Sequence, residues 1–379
     1  MYFGGCLLVV SSILFVAVKH QTAIIVGRCL AGFAHGIIYN ATITHAAENA
    51  VKQIRGMVLS SINCTILSGI FMSTVLRAIT TPYIFESDNM DNNMIVGICG
   101  LILSILGIVS TTFLTYESIP YLLRRGNEPE AVVNLMMLRN ESYMTPNLVE
   151  DLNEMRTMVL QDKEENMNVL ANGNASAMGK MMVLRVLATL TSNYLINSLL
   201  IIMIMLLLQS QSYYMAPVIL SGSRFAASFI PVFSTDLFKR KIHLTVSSVT
   251  SGTLMLALAI IFASVDIFLS TTYWVPAALC IVTQIFVSLG IDPMQHLLLS
   301  EAFSTSTKPW SIAWVTSIEY VLQILFIVLY FVGQIDRVRI IAIFFVTAGV
   351  MLALAIFLQL AIPETFGKSI KETRDLFRK

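Results

Sequence analysis

Four titratable side chains lie deep inside apolar segments, where a charge is costly. Arg224 lies 11 residues into one apolar segment and Glu319 lies 9 residues into another. At about 1.5 Å per residue these depths are about 17 and about 14 Å, which nearly coincide in a hydrocarbon core of about 30 Å. Asp292 and His296 lie four residues apart, on one face of a helix. We expect Arg224, Asp292 and Glu319 to face the protein interior, with at least one matched ion pair.

The sequence leaves two interpretations of this cluster equally open. In one, the charges belong to a cavity suited to a charged or hydrogen-bonding solute, or to protons that move through His296. In the other, they form a buried ion pair with no role in transport. Ser300 lies near His296, but neither a nucleophile elbow nor an oxyanion donor accompanies the two residues, so the sequence predicts no enzyme.

Long apolar helices must position these residues. The chain has 379 residues, of which 56% are hydrophobic and 12% charged, about half the charge of a soluble domain. Spans must be helical or part of a closed barrel, and continuous apolar runs such as 199–208 lack the alternation of barrel strands. The ten predicted spans are 1–18, 22–45, 57–79, 94–115, 184–208, 213–234, 243–264, 273–298, 310–333 and 339–361.

The spans divide the chain into four regions. We predict a first membrane region of four helices over 1–116, a cytoplasmic loop with short helices over 117–182, a second membrane region of six helices over 183–362 and a cytoplasmic tail over 363–379. Residues 166–176 are rich in Asn and Ala and are predicted to be a flexible linker. The net charge of +1 and the five scattered cysteines predict no nucleic acid, no disulfide and no metal or other cofactor.

The basic residues indicate the orientation. With ten spans, both termini fall on one face together with most of the 24 Lys and Arg residues. The exceptions are Lys19, Arg28, Arg77, Arg224, Arg337 and Arg339. The opposite loop 80–93 carries Glu86, Asp88 and Asp91 and no basic residue. By the positive-inside rule both termini are predicted to be cytoplasmic, and the predicted location is the plasma membrane.

Several short sequence motifs occur near the ends of the spans, most of them on the cytoplasmic face. They are Gly27-Arg28, Glu48 with Ile54-Arg55-Gly56, Tyr116-Glu117-Ser118, Asp236 to Lys241, Ser300-Glu301-Ala302-Phe303 and Pro363-Glu364-Thr365-Phe366-Gly367-Lys368. In this order and spacing they resemble the sugar porter family of the major facilitator superfamily, in particular the animal glucose and trehalose facilitators. The resemblance covers nearly the whole chain. It implies an all-α bundle of two halves around a central cavity.

The resemblance also implies a gating role for charged residues at these helix ends. Ion pairs between them hold one face closed and break when the carrier opens inward. The residues it assigns to gating are Arg28, Glu48, Arg55, Glu117, Asp236, Arg240, Glu301 and Glu364. The alternative is that they are positive-inside charges in headgroup water, where a pair is worth under about 1 kcal/mol.

The chain departs from the family pattern in two ways. The family has twelve helices, and this sequence begins at what resembles the third; the interpretations are a partial gene model, a shorter isoform or a degenerate copy. The motifs that contact sugar in the family are also altered. Where the family has a Gln-rich run in its seventh helix, this chain has Thr189 to Asn197. The family's Pro-x-Pro-Trp motif is replaced by Pro293 to His296, and its Asn-Trp pair is replaced by Glu319-Tyr320.

The leading functional hypothesis is transport of a sugar or similar small polar solute by alternating access, without ion coupling. The candidate solute-binding residues are Asn193, Asn197, Gln284, Gln295, His296, Glu319, Tyr320 and Gln323. Asp292, His296 and Glu319 motivate one alternative, a proton-coupled carrier of an organic solute. The shortened helix count motivates another, a non-transporting sensor or degenerate copy. The expected partners are the solute and the lipid bilayer.

Overall fold

Helices account for every regular element in the part of the chain that the computed structural model describes, which is residues 1–18, 20–84, 92–164, 173–208, 214–264, 274–333 and 336–378. In chain order the elements are α1 (Tyr2–Ala17), α2 (Gln21–Asn49), α3 (Arg55–Ile84), α4 (Asn92–Leu114), α5 (Ile119–Arg125), α6 (Glu128–Arg139), α7 (Pro146–Glu164), α8 (Asn174–Ser192), α9 (Tyr194–Leu207), α10 (Met215–Ser234), α11 (Arg240–Ser264), α12 (Trp274–Phe286), a π-helical segment (Val287–Ile291), α13 (Asp292–Glu301), α14 (Lys308–Val332), α15 (Arg337–Ala361) and α16 (Ile370–Arg378). This agrees with the predicted all-α fold.

The described residues contain nine stretches that are long and apolar enough to cross a membrane. They match nine of the ten predicted spans. The remaining one, α1, has 16 residues, or about 24 Å of helix, which is shorter than a hydrocarbon core of about 30 Å. The predicted loop around Glu86, Asp88 and Asp91 lies outside the described residues, as does Lys19.

The prediction for the fifth span is wrong in two respects. The span begins at Asn174 rather than at residue 184, so residues 174–176 of the predicted linker are helical; residues 166–172 lie outside the described part. The span is also interrupted, because Asn193 has an extended backbone (φ −75°, ψ 164°) that ends α8 and starts α9. The Asn193 side chain accepts a hydrogen bond from the backbone N–H of Ile196 at 2.9 Å, which is N-cap geometry.

The predicted span 273–298 is also irregular, since a π-helical segment joins α12 to α13. The N–H of Asp292 bonds to the carbonyl of Val287, five residues earlier. Pro293 follows at the start of α13, where its missing N–H is least disruptive. Ser247 of α11 holds the segment, because its hydroxyl accepts the N–H of Ile291 at 3.1 Å and donates to the carbonyl of Phe286.

The chain forms two compact units. Unit 1 comprises Met1–Ala50, Ile79–Asn168 and Ser304–Ala313. In it α1 packs closely on α4: a Cβ at Gly97 would lie 2.8 Å from the Cβ of Phe15. The helices α5, α6 and α7 enclose a small apolar core of Ile119, Leu122, Ala131, Leu135, Leu148 and Leu152. These three short helices lie in the segment after the fourth span.

Unit 2 comprises Val51–Ala78, Val169–Phe303 and Trp314–Lys379. Its most extensive helix packing is between α11 and α15. The two helices approach closely there, since a Cβ at Gly252 would lie 2.8 Å from Cδ2 of Leu352. The π-helical segment packs on α10 and α11, and a Cβ at Gly290 would lie 2.4 Å from the carbonyl oxygen of His243. Most of the predicted site residues belong to this unit.

Candidate solute site and helix-end network

The break between α8 and α9 gathers amide side chains. Besides capping α9, Asn193 donates from Nδ2 to the carbonyls of Thr189 and Leu190 at 3.1 and 3.2 Å, so its polar atoms are already used. Asn197 donates to the Ser192 carbonyl at 3.1 Å. Asn193 therefore shapes the break, as expected of a residue whose side chain competes with backbone hydrogen bonds.

Two amide oxygens near this break accept no hydrogen bond from the described residues. Gln284 on α12 is buried and donates from Nε2 to the Thr191 carbonyl at 3.0 Å, but its Oε1 has no partner. The Oδ1 of Asn197 is likewise buried without a partner. A buried acceptor without a hydrogen bond costs about 1–3 kcal/mol of stability. Both oxygens can therefore accept a hydrogen bond from a water molecule or a solute.

A first ion pair joins α8 to α14. Nη1 of Arg185 donates to Oε2 of Glu319 at 2.7 Å and to Oε1 of Gln295 at 3.0 Å. The Arg185 side chain is 3% exposed and that of Glu319 is 25% exposed, so the carboxylate forms the open end of the pair. The sequence analysis missed Arg185. A span predicted to begin at residue 184 placed Arg185 at the membrane surface, whereas α8 begins at Asn174, eleven residues before Arg185.

A second ion pair joins α10 to α13. Nη2 of Arg224 donates to Oδ2 of Asp292 at 2.8 Å, and the Ser288 hydroxyl donates to the same oxygen at 3.3 Å. This confirms the expected pairing among the in-span charges, although Glu319 pairs with Arg185. Asp292 and Gln295 lie one turn apart on α13, so a single helical turn links the two pairs. We call Arg185–Glu319 and Arg224–Asp292 the mid-span pairs.

The other predicted solute-binding residues lie beside the mid-span pairs. His296 is buried on α13, one turn after Asp292. On α14, Tyr320 is exposed and Gln323 is half-buried, one turn after Glu319. Glu319, Tyr320 and Gln323 thus place a carboxylate, a hydroxyl and an amide on one stretch of helix.

A group of charged residues surrounds Glu301 at the end of α13. Nη1 of Arg240 donates to both carboxylate oxygens of Glu301 at 2.7 Å, and Arg55 approaches the same carboxylate at 3.5 Å. Arg240 also donates to the hydroxyl of Thr365 at 3.0 Å and lies 3.6 Å from Asp236. Glu301 is buried, so two arginines compensate one carboxylate. We call Arg55, Asp236, Arg240, Glu301 and Glu364 the helix-end network.

Two carboxylates of the helix-end network cap helices. Asp236 accepts the N–H groups of Gly56 and Met57 at 3.0 and 2.7 Å, at the start of α3. A Cβ at position 56 would lie 2.2 Å from the Asp236 carboxylate, so only glycine fits there. Glu364 accepts the N–H groups of Arg240 and Lys241 at 3.2 and 3.3 Å, at the start of α11. Anionic groups at helix N-termini are favourable because they satisfy free N–H groups and the helix dipole.

Three predicted gating residues lie outside the helix-end network. Glu48 in unit 1 accepts a hydrogen bond from the Ser118 hydroxyl, at the start of α5. Arg28 and Glu117 are exposed, and neither forms an ion pair with a described residue. The structure therefore joins five of the eight predicted gating residues in one network and leaves these three outside it.

A recess in unit 1 contains none of the predicted solute-site residues, and the described residues form no metal site. Among the described residues, no group of three or more His, Cys, Asp or Glu is placed to hold a metal ion. A recess of about 440 Å³ in unit 1 is lined by α1, α2 and α4, including Ser12, Ile38 and Ser104. None of the predicted site residues lines it.

The described residues are all-helical where they are regular, with nine apolar spans, buried charges and capped helix ends, which is the architecture of a polytopic membrane carrier. The chain belongs to the family described as sugar (and other) transporter, whose sequence profile matches residues 1–377. It is therefore a multi-pass membrane transporter and not an enzyme. Comparison with curated protein sequences gave no match.

Solved structures of a bacterial carrier have the same fold. The major facilitator proton:xylose symporter XylE bound to 6-bromo-6-deoxy-D-glucose matches with a TM-score of 0.80 and 14% identity over 99% of this chain and 82% of that chain. The inward open conformation of the xylose transporter XylE from E. coli matches with a TM-score of 0.61 and 13% identity over 99% and 83%. The chain thus has the major facilitator fold.

Proposed function

We propose that the protein carries a sugar or a similar small polar solute across the membrane by alternating access, without ion coupling. The observation that carries this proposal is the set of polar groups in the spans of unit 2, above all the Gln284 and Asn197 oxygens that accept no hydrogen bond from the described residues. Solute hydroxyl groups are donors that would fill these acceptors. The family's description as transporters of sugars and other solutes supports the same class.

The proposed contacts come from two helix faces. Gln284 and Asn197 provide acceptors next to the α8–α9 break, while Glu319, Tyr320 and Gln323 provide an acceptor, an aromatic ring with a hydroxyl, and an amide on α14. Tyrosine suits a site of this kind because it presents an apolar body and a polar tip. We assign supporting roles to Asn193, which shapes the break, and to Gln295 and His296, which are buried beside the mid-span pairs.

We assign the gating role to the helix-end network. Glu301 draws together Arg55 at the start of α3 and Arg240 at the start of α11, so this network fixes one arrangement of three helices. Alternating access requires such contacts to break and re-form. We also retain Arg28, Glu48 and Glu117 as gating candidates for states in which they gain partners.

A second candidate is proton-coupled transport of an organic solute. Asp292 and Glu319 are carboxylates inside spans, and each is held by an arginine that would release it on protonation. XylE, which shares the fold, is described as a proton:xylose symporter. Steeply pH-dependent uptake in vesicles without a sodium gradient would favour this candidate over uncoupled transport.

We propose that the protein resides in the plasma membrane with both termini in the cytoplasm. The bias of basic residues toward one face supports this orientation. Protease digestion of a C-terminal tag in sealed cells provides the test, because a cytoplasmic tag is cleaved only after the cells are made permeable.

The first experiment is uptake of labelled glucose, xylose and trehalose into vesicles containing the purified protein. Saturable uptake of one of them is expected. Glu319→Gln should lower uptake at least tenfold, because it removes an anionic acceptor and leaves Arg185 without its counter-charge. Glu154→Gln, on the cytoplasmic helix α7, is the matched control and should be neutral.

Two outcomes would contradict the proposal. No saturable uptake of any sugar by correctly inserted protein would point to another solute or to a non-transporting role. Unchanged uptake and unchanged pH dependence in Glu319→Gln would remove Glu319 from the site.

A further inference from the structure

A second recess, of about 390 Å³, lies in unit 2 where the start of α11 meets the end of α15. Its polar lining includes Lys239 and Lys241 before and within the first turn of α11, and Gln359 on α15. The Thr245 hydroxyl donates to Oε1 of Gln359, which joins the two helices at the recess. Both helices are membrane spans, so the recess lies at the level where a span leaves the hydrocarbon core.

The recess carries an excess of positive charge. Neither Lys239 nor Lys241 forms an ion pair with a described residue, and both reach the surface. The one carboxylate in the lining belongs to Glu364, and its two oxygens accept the backbone N–H groups of Arg240, Lys241 and Phe366 at 3.2, 3.3 and 3.0 Å. Glu364 caps α11 and forms no ion pair with either lysine, so the two lysines and one glutamate of the lining leave one net positive charge and two ammonium groups unpaired among the described residues.

An apolar surface continues from the recess along both helices. Ile242 and Val246 are exposed one turn apart on α11, and Phe357 and Leu360 are exposed on the last turn of α15, with Leu360 81% exposed. Exposed apolar side chains on a membrane span contact acyl chains. A single molecule that is anionic at one end and apolar at the other would therefore match both parts of the surface.

We propose that this recess binds an anionic phospholipid, with the headgroup phosphate between the ammonium groups of Lys239 and Lys241 and the acyl chains along Ile242, Val246 and Leu360. Lysine is a compact point charge suited to phosphate oxygens. Basic recesses between spans, on the face with the excess of Lys and Arg, recognise such headgroups. The site uses none of the proposed solute-binding residues, although Glu364 in its lining belongs to the helix-end network.

The test measures lipid selectivity directly and requires no transport. Full-length protein is reconstituted in phosphatidylcholine vesicles, and the association of spin-labelled phosphatidylserine is compared with that of spin-labelled phosphatidylcholine. The variant is Lys239→Gln with Lys241→Gln, which keeps the backbone N–H that Glu364 accepts. The control is Lys368→Gln with Lys371→Gln, which removes the same charge on the same side but outside the recess.

The wild type should prefer phosphatidylserine at least fivefold, since each lysine near an anionic lipid contributes roughly a fivefold preference. The recess variant should lose most of this preference, and the control should keep it. The proposal is overturned if the wild type has no preference, if both variants lose it equally, or if millimolar inorganic phosphate displaces the labelled lipid, which would indicate a site for free anions. Circular dichroism and single-lysine variants show whether any loss comes from misfolding.

Discussion

The mid-span pairs and the helix-end network are both buried ion clusters of unit 2, yet they are built differently. Each mid-span pair joins one arginine to one carboxylate across two helices, and a neutral amide or hydroxyl adds a further hydrogen bond. The helix-end network shares one carboxylate between two arginines, and its other carboxylates bind backbone N–H groups. The comparison indicates that the mid-span carboxylates are held by side chains that a solute can compete for, whereas two of the three helix-end carboxylates, Asp236 and Glu364, are also held by backbone N–H groups.

The largest expected effect is that of Glu301→Gln. This change leaves Arg55 and Arg240 buried without their shared carboxylate, and breaking a buried pair in this way costs about 3–5 kcal/mol. Unfolding of the purified protein by SDS, followed by tryptophan fluorescence, should show this loss. A variant as stable as the wild type would mean that the helix-end network contributes little to the free energy of unfolding.

Asp292→Asn should have a smaller effect, of about 2–3 kcal/mol. The change removes the carboxylate opposite Arg224, but Arg224 is partly exposed and an asparagine oxygen still accepts one hydrogen bond. Arg224→Met together with Asp292→Asn should recover stability but not uptake, because the charge is balanced again while the polar site is altered. Equal loss in the single and double variants would contradict the pairing.

Arg55→Gln should cost roughly 1 kcal/mol, because Glu301 keeps both short hydrogen bonds from Arg240. Arg240→Gln is the comparison, since it removes those bonds and should cost several times more. If the two variants are equally unstable, the two arginines do not share the carboxylate as the distances indicate.

Glu117→Gln should leave the unfolding transition unchanged within error. The side chain is exposed and forms no ion pair with a described residue. A clear loss of uptake with unchanged stability would show that Glu117 gains a partner in another conformation, and would extend the helix-end comparison to unit 1.

The sequence predicts the helices and part of the site well. An apolar run of about 20 residues spans the hydrocarbon core, and its backbone can satisfy its hydrogen bonds there only as a helix or in a closed barrel. It also predicts at least one ion pair among Arg224, Asp292 and Glu319, since unpaired charges at that depth are too costly, but it does not predict which two residues pair. It misses Arg185, because the apolar run indicates where hydrocarbon begins and not where the helix begins. It misses the break at Asn193, because an asparagine inside an apolar run does not by itself show that its side chain will replace the helical hydrogen bonds. It misses the π-helical segment, because that segment depends on a partner distant in sequence, Ser247 with Ile291.

The π-helical segment has a consequence for insertions and deletions. A π-turn holds one residue more than the α-turn that it replaces. Deleting Leu289 would therefore convert the segment into a regular α-helix of about the same length and would not break the helix. The π-turn takes up the extra residue by widening locally, so the polar faces on either side keep nearly the phase of an uninterrupted α-helix. The Gln284 contact with Thr191 and the Asp292 contact with Arg224 should therefore survive the deletion. The deletion should instead remove the widened turn, in which Ser247 bonds both the Phe286 carbonyl and the Ile291 N–H.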